Sequence, residues 1–78
     1  MEKAVLKKDI TDRIRREPVL FGRVAEITGY GLTYLHRILA QNDKGEDTDL
    51  ININNLRAIA AELGVQDINE LLEQVAVA

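Results

Sequence analysis

The sequence predicts an all-α fold: a single compact domain over residues 1–78, made of five helices, with the second and third joined by a tight turn to form a helix-turn-helix. Three observations lead there. Apolar residues make up 46% of the chain and aromatics only 4%, so the core must be aliphatic, and a single Pro with few Gly favours helices over a sheet. Between Val24 and Leu39 the chain reads VAEITGYGLTYLHRIL, two short apolar patterns at helical spacing separated by Gly29, Tyr30 and Gly31. Further helical patterns flank this stretch on both sides. At 78 residues the chain is near the lower end of what folds unaided.

The first helix is predicted over residues 3–16, where Val5, Leu6, Ile10 and Ile14 form an apolar stripe. Pro18 drives Glu17 out of helical space and ends it. Arg13, Arg15 and Arg16 cluster at its C-terminal end, where they suit the helix dipole or, alternatively, touch phosphate. The second helix starts near Val19 or Leu20 and stops at Thr28, with Phe21 in the core. Gly29 supplies the positive φ that ends this helix, and the small Ala25 lets the next helix approach closely. The third helix runs from Leu32 to about Gln41, with Gly31 as a permissive N-cap and with Leu35, Ile38 and Leu39 facing inward.

Residues 42–49, NDKGEDTD, read as a polar, turn-rich loop. The fourth helix has Asn52 as N-cap and spans residues 53–63, with Leu56, Ile59, Ala60 and Leu63 inward and Gly64 just past its end. Asp67 and Glu70 then form a capping box for a fifth helix carrying Ile68, Leu71, Leu72 and Val75. That helix has more apolar residues than one face requires. The excess, with Val75 and Val77, is expected either in the core or at a two-fold interface.

The run Val24-Ala25, Gly29, Leu35 and Ile38 resembles the helix-turn-helix of the lambda-repressor/Cro-like (XRE-type) DNA-binding domains. Leu56 through Leu63-Gly64-Val65 resembles that family's fourth helix and its exit, and Ile68-Asn69-Glu70-Leu71-Leu72 its fifth. The resemblance covers roughly residues 20 to 73. It implies a lambda-repressor-like domain that binds double-stranded DNA as a homodimer, with the third helix in the major groove.

On that reading the face of the third helix away from Leu35 and Ile38 does the recognition. It carries Thr33, His36, Arg37 and Gln41, groups that hydrogen-bond base edges or grip phosphates. Ten helical residues span about 15 Å, enough to lie in a groove about 12 Å wide. Tyr34 lies between faces and either packs or touches the backbone. Arg23, Lys44 and the backbone amides at the start of the second helix are expected near phosphates, Gly31 counts among the DNA-binding residues, and Leu32 offers an apolar surface for a thymine methyl. Two positions depart from the family pattern. Phe21 stands where many relatives have a backbone-clamping Gln, and Leu32 where several have a polar base-reading residue.

Charge is unevenly divided. Residues 1–44 hold nine of the ten Lys/Arg against six Asp/Glu, whereas residues 45–78 hold only Arg57 against seven carboxylates. A basic half in front of an acidic one suits a one-faced DNA binder, although the net charge is −3. The acids Glu46, Asp47 and Asp49 in the loop would repel phosphate. They do not match a calcium loop, because the Gly is misplaced and no closing Glu follows at the required distance.

His36 has no partner ligand at helical spacing, and Cys is absent, so no metal site is expected. The chain also lacks Ser, and no acid, base and nucleophile converge at plausible spacing, so neither catalysis, a cofactor nor a small-molecule substrate is expected. No apolar run approaches a membrane span or a signal peptide, and the expectation is a cytoplasmic protein. The leading expectation is a transcriptional regulator. The alternative is an interaction domain that keeps the fold without binding DNA, favoured by the acidic net charge, the acidic loop and the apolar fifth helix.

Overall fold

In a computed structural model, which describes residues 2–46 and 48–76, the two ends of the chain meet in an antiparallel ribbon. Strand β1 (Glu2–Leu6) lies against β2 (Leu72–Ala76), pairing Glu2 with Ala76 and Leu6 with Leu72. Between them run α1 (Lys8–Arg16), α2 (Pro18–Thr28), α3 (Leu32–Asp43), α4 (Ile53–Leu63) and a 3-10 turn (Ile68–Leu71). The expected five-helix all-α fold is therefore wrong. Among the described residues there are four α-helices and a two-stranded sheet, and both errors lie at the termini.

At the start, residues expected in the first helix form β1 instead. Val5 and Leu6 are both buried, and Lys7 has extended backbone that delays the helix to Lys8. The Lys7 N–H donates to the Leu71 carbonyl at 2.8 Å, which ties the beginning of α1 to the end of the 3-10 turn. At the other end Asp67 does not form the expected capping box with Glu70. Its Oδ1 accepts from the Asn69 N–H at 2.9 Å, closing a four-residue turn that buries Leu71 and hands the chain to β2. Leu72 and Val75, expected on a fifth helix, are half-buried strand residues, and Val77 lies outside the described residues. The spacing of apolar residues fits a helix over these few positions, but cross-strand pairing with a distant segment overrides it.

A two-stranded ribbon alone is marginal in water. This one is anchored by Leu6, whose side chain joins the main core and whose peptide is gripped by the buried side chain of Asn42. Asn42 was expected in the loop. It instead continues the inward stripe Leu35, Ile38, Leu39, Asn42, so α3 reaches Asp43.

The central helices follow the sequence closely. Pro18 opens α2, where its missing N–H costs nothing. Gly29 takes φ 77° and ends α2, and Gly31 is the extended N-cap of α3. Ala25 and Val24 are both buried in the core, and Phe21 joins the same otherwise aliphatic cluster. Asn52 caps α4 by accepting from the Asn54 N–H at 2.8 Å, and Gly64 closes it in the left-handed region. Between α3 and α4 the fully buried Leu50 pins the polar loop to the core. Of the loop's three acids, Asp47 lies outside the described residues.

Candidate nucleic-acid interface

The rotation of α3 about its axis decides which side chains can meet a ligand. Leu35, Ile38, Leu39 and Asn42 are all buried, so the opposite side faces solvent. Along its middle runs a stripe of Thr33, Arg37, Ala40 and Lys44, with Leu32 and His36 to one side and Tyr34 and Gln41 to the other. The helix is 12 residues, about 18 Å long. Arg37 and Lys44 are exposed, and among the described residues neither has an ion-pair partner. Lys44 also caps the helix, its N–H donating to the Ala40 carbonyl at 3.2 Å, where its positive charge complements the dipole.

The flanks are aromatic. His36 stacks on Phe21 with ring centroids 4.4 Å apart, so this pair of rings braces α2 against α3. Tyr34 meets Tyr30 edge-on at 5.1 Å and remains 41% exposed. Burial, followed by the charge of Asp49, raises the Tyr30 hydroxyl above its usual value. Leu32, at the first turn, is 59% exposed, the highest value for a large apolar side chain on α3. Gly31 presents open backbone just before it, and Gln41 is half-buried.

Arg23 is placed differently from the rest. It projects from α2 toward α4 and meets Glu62 with two parallel hydrogen bonds, Nε to Oε2 at 2.6 Å and Nη2 to Oε1 at 2.9 Å. That hydrogen bonding and the charge of Arg23 hold the Glu62 carboxyl below its ordinary value. Of the cluster ending α1, Arg13 pairs with Glu17, and Arg15 bonds both Asp12 and Asp43. Arg16 has no ion-pair partner among the described residues.

Asp43 is the hub that joins α1 to the end of α3. It accepts from the buried Thr11 hydroxyl at 2.8 Å and from Arg15, with Lys8 at 3.4 Å. Desolvation pushes its carboxyl up, but the hydrogen bonds from Thr11 and Arg15 outweigh it and the pKa lies below the ordinary value. An open groove on the outside of α1 is lined by Asp9, Asp12, Arg15 and Arg16.

The outward stripe and its flanks thus gather Gly31, Leu32, Thr33, Tyr34, His36, Arg37, Gln41 and Lys44 along one helix, while Arg23 is turned away toward α4. Sequence reasoning missed Glu62 and the Thr11–Asp43 bond, whose partners lie 39 and 32 residues apart and leave no local signal. Asn42 did leave one, because it continues the buried stripe of α3 at regular spacing. Among the described residues no cluster of His, Asp or Glu could hold a metal ion, and no helix is long and apolar enough to cross a membrane. Comparison with protein-family models, curated proteins and solved structures gives no match to this chain.

Proposed function

We propose that this chain is a sequence-specific DNA-binding regulator that reads the major groove with the exposed face of α3, acting as a homodimer on paired half-sites. One observation carries this reading: two helices joined across Gly29-Tyr30-Gly31 present a stripe of Thr33, Arg37 and Lys44 whose cations are unpaired among the described residues. Arg37 has the fork geometry for a guanine edge or a phosphate, Thr33 can donate and accept, and Lys44 lies two turns beyond Arg37, about 10 Å, for a second phosphate. Leu32 adds an apolar surface suited to a thymine methyl. Compartment and operator are left open by this reading. Selection from random duplexes at moderate salt tests it: a defined sequence should be enriched, and its affinity should fall with rising salt. If no sequence is enriched, the chain is not a sequence-specific regulator.

A second reading is favoured by the exposed Leu32 and Tyr34 on that same helix and by the net charge of −3. The same face would then dock an apolar protein surface, and it would bind no duplex at any salt concentration.

A further inference from the structure

Arg23 and Glu62 are joined edge to edge, and that arrangement is the one a guanidinium uses to hold a phosphate. The Nε and Nη2 atoms of Arg23 face the two carboxylate oxygens at 2.6 and 2.9 Å. A phosphate gripped bidentately by Arg uses the same fork of parallel N–H donors. The two side chains are unequally accessible: that of Arg23 is 59% exposed and that of Glu62 only 20%. The cation is therefore open to an incoming anion, while the carboxylate that occupies its fork is sheltered on α4. Glu26 adds a further, weaker negative field at Arg23.

We infer that Glu62 is an internal phosphate mimic, an autoinhibitory contact that holds Arg23 out of the DNA interface and keeps non-specific duplex binding weak. This rests on the DNA-binding reading above. With Glu62 ionised, the pair is neutral as a unit, and a phosphate approaching Arg23 meets the carboxylate at the same edge. Only a duplex already held by α3 can displace the carboxylate, so the cation contributes late and preferentially on well-fitted sites. Arg23 alone, without its partner, would act as an ordinary phosphate contact. Because an exposed ion pair contributes little to folding, the carboxylate can be removed without losing the fold.

The test uses the full chain as wild type, Glu62→Gln, Glu70→Gln, and Arg23→Gln/Glu62→Gln, on a random-sequence duplex across a salt titration. Circular dichroism first establishes that all four are folded. In a homodimer, one added phosphate contact per subunit steepens the salt slope by about 1.8, which is a gain of about sixtyfold at 0.1 M salt. Glu62→Gln should show that gain and that slope, and adding Arg23→Gln should abolish both. If Glu62→Gln binds like wild type, if the double variant keeps the gain, or if removing the remote exposed charge in Glu70→Gln gives the same gain through net charge alone, the mimic is refuted. If no variant binds duplex even at low salt, the DNA-binding reading itself has failed and this inference falls with it.

Discussion

Asn42 holds the peptide of Leu6 from both sides. Its Oδ1 accepts from the Leu6 N–H at 2.9 Å, and its Nδ2 donates to the Leu6 carbonyl at 3.0 Å. A side-chain amide here takes the place of a neighbouring strand, completing the outer edge of β1 where it passes under α3. Leu6 and Asn42 are each 1% exposed, so water cannot replace either bond. Asn42→Leu keeps similar volume but strands two buried backbone groups, at about 1–3 kcal/mol each. Urea unfolding should show a loss of roughly 2–6 kcal/mol; a midpoint within error of wild type would mean the ribbon is not held this way.

Two glycines make a controlled comparison of backbone conformation. A Cβ added at either Gly22 or Gly29 would meet no heavy atom within 4 Å, but only Gly29 has positive φ, 77°. Steric contact is thus removed as a variable. Gly22→Ala, within α2, should stabilise by about 0.5–1 kcal/mol, whereas Gly29→Ala should cost on the order of 1–2 kcal/mol. Thermal melting of both variants checks the pair. Shifts of the same sign would place the helix turn elsewhere.

The two sides of α3 should respond in opposite ways. Leu35 is fully buried, and Leu35→Ala should cost about 2–5 kcal/mol through the cavity it leaves. Thr33→Ala and Arg37→Ala are exposed changes expected within about 0.5 kcal/mol in stability. On a selected duplex the Arg37 change should reduce discrimination by roughly 1–3 kcal/mol per subunit if it forks onto a base, or flatten the salt slope by about two per dimer if it grips a phosphate. Competition binding against random duplex distinguishes these outcomes. Wild-type discrimination and slope in both variants would take this face out of DNA recognition.

Acid should loosen the molecule where α1 meets the end of α3. The Asp43 carboxyl is pushed up by desolvation and, more strongly in sum, pulled down by Thr11, Arg15 and Lys8. A carboxyl with a depressed folded-state pKa binds protons more readily when unfolded. Its contribution is therefore complete above the ordinary carboxylate value of about 4 and is lost as pH falls through the lower folded value. Urea midpoints should be level near neutrality and decline below about pH 4. In Asp43→Asn the neutral-pH midpoint should drop and the acid decline should be shallower. An unchanged pH profile in that variant would exclude Asp43 as a stabilising joint.

The parts of this fold that can be read from sequence are those whose causes are local. Gly29, Gly64, Asn52 and Pro18 act on their own backbone or on groups a few residues away, and α2, α3 and α4 begin and end close to where those residues predict. The outward stripe of α3 follows from the same periodicity. The ends of the chain are different. Val5, Leu6, Leu72 and Val75 satisfy a helical pattern over so few residues that only their partners decide, and those partners are Glu73, Leu72, Leu6 and Lys3 at the opposite end. The same separation hid Glu62 from Arg23. Periodicity shows which residues face inward but not what meets them there.

The register that sets Glu2 opposite Ala76 also orders events in time. Bringing those ends together closes a loop that contains every helix, the longest closure in a fold that also joins Arg23 to Glu62 across 39 residues. Neighbouring helices, α2 and α3 with their three-residue turn above all, involve short separations and should assemble first, with the ribbon joining only after the barrier. Weakening it, as in Val5→Ala, should then leave the refolding rate nearly unchanged and appear almost wholly as faster unfolding. The ribbon is thus the clasp of the molecule: it does little to decide how quickly the chain folds, and much to decide how long it stays folded.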